Sequence, residues 1–140
     1  MTSQMPPRRF AYRLGPRSRP LLRLFGVSGA DNAWVDLDED SLTARFGWAW
    51  MTTPISNIAG WRIEGPWRWI TAIGIRRSVR HGDITFGGSH RGGVRLDFRE
   101  RVRIGPFKAP AIYLTVEDLD GLAQGLTDRG IPGTDARKRR

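Results

Sequence analysis

The sequence predicts a mainly β domain: a bent antiparallel sandwich or partial barrel of seven short strands, capped by one C-terminal α-helix. Three observations predict it. Apolar residues alternate with period two in several short runs, the mark of half-buried strands. Turn-forming clusters separate those runs, and glycine and proline together supply 26 of the 140 residues. The period changes to that of a helix only once, near the C-terminus, and no strand–helix–strand repeat is present to build a parallel sheet.

In chain order, residues 1–20 hold arginine, proline and little to bury, which predicts a disordered basic tail. The domain proper spans 21–133, and 134–140 form a second basic tail. LLRLFGV (21–27) predicts a short edge strand or a segment lying across the core. Residues 33–38 and 42–46 alternate on either side of Asp38-Glu39-Asp40-Ser41, a hairpin signal. The stretch 46–75 contains five of the six tryptophans together with Pro54, Gly60, Gly65 and Pro66, so it breaks into short strands. Trp48 and Trp50 share a parity with Phe46, and Trp67 and Trp69 share one with each other, which predicts core-facing pairs. Pro54 excludes a central strand at its position and suits a single helical turn there.

Asp83 to Phe86 predicts a short strand with Ile84 and Phe86 on one face, followed by the glycine-rich turn GGSHRGG (87–93). Val94, Leu96 and Phe98 give the cleanest alternation. Glu100 and Arg101 interrupt it before Val102 and Ile104, which predicts a bulge or bend. Gly105-Pro106 and Ala109-Pro110 bound the next turn, and 111–116 form the last strand. Leu119, Leu122, Ala123 and Leu126 then lie on one face of a helix. Thr115 with Asp118 reads as its capping box, Gly130 and Pro132 end it, and Ile131 folds back on it.

Composition limits the function. The chain has no cysteine, which removes disulfides, thiol catalysis and sulfur-ligated zinc. No run approaches the length of a membrane-spanning helix, and the N-terminal stretch lacks the apolar core of a secretory signal. Pro6, Pro7, Pro16 and Pro20 would break the amphipathic helix of a presequence. The expectation is a cytoplasmic protein with no transmembrane segment, with peripheral attachment to the inner membrane left open. Removing the six arginines of residues 1–24 and the basic run 137–140 from the total of 23 leaves 13 basic side chains against 14 acids, so the net charge of +9 belongs to the ends.

His81, His90 and Asp83 make a two-His-one-carboxylate site arithmetically available, but each comes from a separate turn, and they read as turn residues. No nucleophile motif is present, and the glycine-rich turn lacks the lysine and following helix of a phosphate loop. No enzyme activity, cofactor or metal is expected. The stronger candidate is a basic cluster, Arg76, Arg77, Arg80, Arg91, Arg95 and Arg99 with Arg101 and Arg103, able to bind phosphates or an acidic partner. Asp83, Asp97 and Glu100 interleave with it, as on a solvated strand face. Trp61, Trp67 and Trp69 serve as core, as the wall of a small-molecule pocket, or as a stacking platform.

With these elements in hand, the chain resembles a bacterial pleckstrin-homology-like domain over roughly residues 33–131. The resemblance rests on strand order, on GGVRLDF (92–98) and on the close YLTVEDLDGLAQGLTDRG (113–130). TPISNI (53–58) and GPWRW (65–69) are similar to segments of small actinobacterial proteins of unassigned function. The resemblance implies a seven-stranded bent sandwich with a C-terminal helix, working by binding rather than catalysis. Eukaryotic members bind phosphoinositides through a basic first hairpin loop, whereas the loop here, 38–41, is acidic, so headgroup binding would need another face. The leading expectation is a non-enzymatic binding or scaffold domain contacting a partner protein or an anionic membrane surface, with self-association left open. Nucleic-acid binding through the arginines and tails is one alternative, and a carrier or enzyme with a tryptophan-lined pocket is the other.

Overall fold

The computed structural model describes residues 8–15, 19–29, 31–65, 74–77, 83–87 and 92–137. The fold is mainly β and consists of two sheets. The first is an antiparallel meander of β1 (Arg8–Ala11), β2 (Ala33–Leu37), β3 (Ser41–Phe46) and β4 (Ala49–Pro54), in that spatial order. The second contains β5 (Ile58–Glu64), β6 (Gly74–Arg77), β7 (Ile84–Gly87), β8 (Gly93–Ile104), β9 (Phe107–Leu114) and β10 (Gly133–Asp135), ordered β10-β5-β8-β9-β7-β6. Two α-helices, α1 (Arg19–Arg23) and α2 (Leu119–Asp128), and one 3-10 turn (Ile55–Asn57) just after Pro54 complete the described elements.

Ten strands are therefore described where seven were expected, and two pairings are parallel: β7 with β9, and β10 with β5. Topology gives the reason for the first. β8 forms a hairpin with β9 and pairs with β5 on its other side, so the preceding β7 can add only at the free edge of β9.

Strand β1 lies inside the stretch that composition assigns to a tail. Phe10 and Tyr12 point inward and are buried, and β1 pairs with β2 over its whole length. The chain then crosses to the second sheet. Tyr12 bridges Val116, the Arg13 amide donates to the Thr115 carbonyl at 2.9 Å, and the Glu117 amide donates to the Ala11 carbonyl at 2.8 Å. Composition averaged over this window is blind to two well-placed aromatics. Residues 21–27 form α1 and a turn rather than a strand, with Leu22 and Val27 buried across the core.

The core lies between the sheets. Phe46 of the first and Phe86 of the second stack at 5.7 Å, and Tyr12 meets Phe46 edge-on at 4.9 Å. Helix α2 closes one open end, burying Leu122, Ala123 and Leu126 as the helical spacing predicts. Its N-cap is Asp118, whose Oδ1 accepts from the Gly121 amide at 2.8 Å. Thr115 takes no part in that cap, because its buried hydroxyl donates to the Phe86 carbonyl at 2.9 Å. At the other end the Gly130 and Ile131 amides donate back to the Thr127 and Leu126 carbonyls, and Ile131 folds into the core as expected.

Strand β8 is irregular where Glu100 and Arg101 predict it. Its register against β9 shifts between Asp97 and Val102, and Asn57 pins the irregularity by bonding the Glu100 backbone in both directions. Pro110, expected to bound a turn, sits inside β9 instead. It falls opposite this shift, between the pairs Asp97–Ala111 and Val102–Ala109, where its missing N–H breaks no ladder.

Candidate functional site

Three turns meet at one end of the molecule. The first follows α1, the second is Gly47-Trp48 between β3 and β4, and the third is Gly105-Pro106 between β8 and β9. The Trp48 amide donates to the Phe25 carbonyl at 3.1 Å, and the Gly47 amide to the Asn32 carbonyl at 2.7 Å. Position 47 requires glycine on two grounds. Its φ is +64°, and a Cβ there would overlap the Phe25 carbonyl. The Trp48 ring in turn lies beside Gly105, which brings the third turn into the group.

This end collects the exposed large hydrophobic side chains of the described residues: Leu24 at 77%, Trp48 at 58%, Trp50 at 57% and Phe107 at 41% exposure. Sequence parity assigns Trp48 and Trp50 to the core, and the structure corrects it. Phe46 pairs directly with Ala49 across a two-residue turn, so both face inward along with Met51 and Thr53. Parity read straight through such a turn inverts the next strand.

Basic side chains surround the tryptophans. Arg45 and Trp50 are register partners, and a groove of about 390 Å³ is lined by Trp34, Thr43, Arg45, Gly47, Trp48 and Trp50. Arg103 borders a second groove of about 300 Å³ with Trp50 and Gly105, opposite Lys108 in the β8–β9 ladder. Each of these arginines uses Nε on its own turn: Arg45 donates to the Gly47 carbonyl at 3.1 Å and Arg103 to the Gly105 carbonyl at 3.3 Å. Among the described residues neither has a carboxylate partner.

The arginine cluster expected from the sequence is divided by the fold. Arg95 lies on the outer face of the second sheet, where Arg62, Arg95 and Tyr113 form one cross-strand row. Its Nη1 donates to Asp83 Oδ2 at 2.7 Å and to the Tyr113 hydroxyl at 2.6 Å, and its Nε donates to Asp97 Oδ1 at 2.9 Å. Tyr113 passes the network on to Glu64 at 3.4 Å. Burial works against the Arg95 charge, but the hydrogen bonds it donates to Tyr113 and Asp97 outweigh it and hold the guanidinium above its ordinary range. Burial likewise pushes the Tyr113 phenol up, against the opposing pull of Arg95. A groove of about 660 Å³ lies over this network, yet both arginines that line it already face acids: Arg95 is paired with Asp83 and Asp97, and Arg62 with Glu64.

Arg99 sits within the β8 irregularity, donating Nε to the Ser56 carbonyl at 3.1 Å. Arg76 and Arg77 belong to β6, in register with Thr85 and Ile84. Arg80, Arg91, Trp67, Trp69, His81 and His90 fall outside the described residues. Of the arithmetically available trio His81, His90 and Asp83, the described residues include Asp83 alone, and that carboxylate is held by Arg95. Trp61 shares the inward parity of Ile63 at the margin of the core. Its Nε1 donates to the Ile131 carbonyl at 3.1 Å, and its ring lies so close to Gly133 that a Cβ there would overlap it. Trp61 therefore anchors the chain after α2.

Sequence reasoning missed Leu24, Phe107 and Arg45, and misassigned Trp48 and Trp50. The available signal was the Gly47-Trp48 pair, since a two-residue glycine turn between alternating runs fixes which parity faces out. The described residues include no helix long and apolar enough to cross a membrane. No protein-family model, curated protein or solved structure matches this chain.

Proposed function

We propose that this chain is a non-enzymatic binding module that docks on an anionic membrane surface through the three-turn tip. The observation that carries the reading is the gathering of Leu24, Trp48, Trp50 and Phe107 on mutually contacting turns, beside arginines with no acidic partner among the described residues. Apolar side chains on convex turns gain most by entering the interfacial region of a bilayer, where tryptophan is favoured. Basic groups near the surface add roughly 1 kcal/mol each. The acidic loop 38–40 supports the same orientation, because it lies at the opposite end of β3 from Trp48 and so points away from a negative surface. On this reading the partner surface is the inner face of the cytoplasmic membrane.

Nucleic acid is the second reading, favoured by the row Trp34–Arg45–Trp50 across the first sheet, a stacking platform with a cation in its middle. Leu24 weighs against it. An aliphatic side chain at the tip offers no face for a base, whereas a bilayer accepts it. A pleckstrin-homology-like architecture remains the proposal for the fold, supported by a meander sheet packed on a second sheet with a late helix at the open end. The two parallel pairings and β10 are additions to that pattern.

Co-sedimentation with phosphatidylglycerol vesicles tests the docking. Trp48→Ala with Trp50→Ala removes two exposed rings, and at about 25 cal/mol per Å² the loss reaches roughly 10- to 100-fold in affinity. The melting temperature stays unchanged. Equal sedimentation of variant and wild type would sink the reading.

A further inference from the structure

We propose that the groove along the free edge of β4, lined by Arg99, Arg101 and Arg103, is a phosphate clamp whose ligand is a phosphomonoester dianion on a lipid headgroup. The source of the phosphate rests on the docking reading above; the clamp itself does not.

The groove has a volume of about 520 Å³ and also carries Thr52, Ser56 and Asn57. Two of its arginines are already oriented. Arg99 spends Nε on the Ser56 carbonyl and Arg103 spends Nε on the Gly105 carbonyl, which leaves the two Nη groups of each without a partner among the described residues. Arg101 makes no hydrogen bond or ion pair among the described residues, and it is exposed because Val102 and Ile104 take the inward positions of the strand. Guanidinium forks held in place lose little entropy on binding an oxyanion, and their geometry suits bidentate contact. Asn57 keeps the wall rigid, since its amide bonds Thr53 and both backbone groups of Glu100.

Charge selects the ligand. The lining holds three arginines and one acid, Glu100, an excess of two positive charges. A phosphomonoester near neutrality carries about two negative charges, which match that excess, whereas a diester offers one. Position supplies the source. Arg103 lines both this groove and the one beside Trp50, so the clamp opens directly from the tip. Two residues of strand place Arg103 roughly 7 Å from the Gly105 turn, and the headgroup layer is itself about 5–8 Å deep.

The experiment compares the full chain on phosphatidic acid vesicles and on phosphatidylglycerol vesicles of matched zeta potential, with inorganic phosphate as the soluble probe. The expected result is about five- to tenfold tighter binding to phosphatidic acid. Inorganic phosphate should compete for that excess and move the Arg99 and Arg103 Nε–Hε signals in NMR. Arg101→Gln with Arg103→Gln, checked for an unchanged melt, should remove the preference. Equal binding to both vesicles without a phosphate-induced shift overturns the clamp and leaves tip docking intact, and so does a preference that survives in the double variant. A phosphate-induced shift with no vesicle binding keeps the clamp but overturns both the lipid source and the docking reading. Displacement of the vesicles by oligothymidylate through the same two arginines overturns the lipid ligand in favour of nucleic acid.

Discussion

The outer face of the second sheet and the three-turn tip are made of similar residues, arginines beside aromatic rings on paired strands, yet they end in opposite chemical states. Arg95 donates through Nε to Asp97 and through Nη1 to Asp83 and the Tyr113 hydroxyl. Among the described residues, Arg45 and Arg103 bond only to the carbonyls of their own turns. The aromatics follow the same division. Tyr113 is bound into the network and Trp61 is covered by the chain after α2, while Trp48 and Trp50 are more than half exposed. An arginine count therefore does not locate a site. What decides is whether the fold brings a carboxylate to the same place.

The largest effect expected from this contrast is at Arg95. Arg95→Ala strands the buried Asp83 carboxylate, and removing one partner of such a pair costs about 3 kcal/mol. Urea denaturation reads the loss directly; a cost below that of an ordinary surface substitution would erase the distinction between the two regions. Next is Gly133→Ala, which drives a methyl into the Trp61 ring and should cost about 2 kcal/mol by overpacking. Alanine at Trp48 should leave stability nearly untouched, which separates a structural tryptophan from an available one.

A smaller effect, of opposite sign, is expected at Tyr12. Its buried hydroxyl has no hydrogen-bond partner among the described residues, so Tyr12→Phe should stabilise the protein by about 1 kcal/mol. Burial pushes this phenol well above its ordinary value of 10.0. The folded state thus favours the neutral form. That contribution is complete below pH 10.0 and is lost as pH rises from there through the folded value. The Tyr12→Phe chain should lose less stability than wild type in alkaline melts, with Tyr113, also shifted upward, supplying the remaining slope. An identical alkaline limb in both proteins would contradict the assignment. The smallest effect is Arg103→Ala, within about 0.5 kcal/mol in stability, with its consequence confined to vesicle binding.

Much of the architecture was legible in local patterns. The β2–β3 hairpin, the inward faces of β7 and β8, the irregularity at Glu100 and Arg101, and the buried stripe of α2 all follow from spacing within one element. The candidate site was not legible. Leu24, Trp48 and Gly105 lie far apart in the sequence and meet because three turns hydrogen-bond or pack at one end. Arg95 reads as free in the sequence because nothing local shows that the segment before β7 delivers Asp83 to it.

By itself the sequence determined the class of the domain and the period of most of its runs, because these depend on neighbours within a few residues. Only the tertiary structure decided which face of β4 turned outward, which arginines found acids, and that a stretch resembling a tail supplied Phe10 and Tyr12 to the core. Each of those outcomes depends on pairing between distant strands, where a two-residue turn or a single register choice sends every side chain to one face or the other.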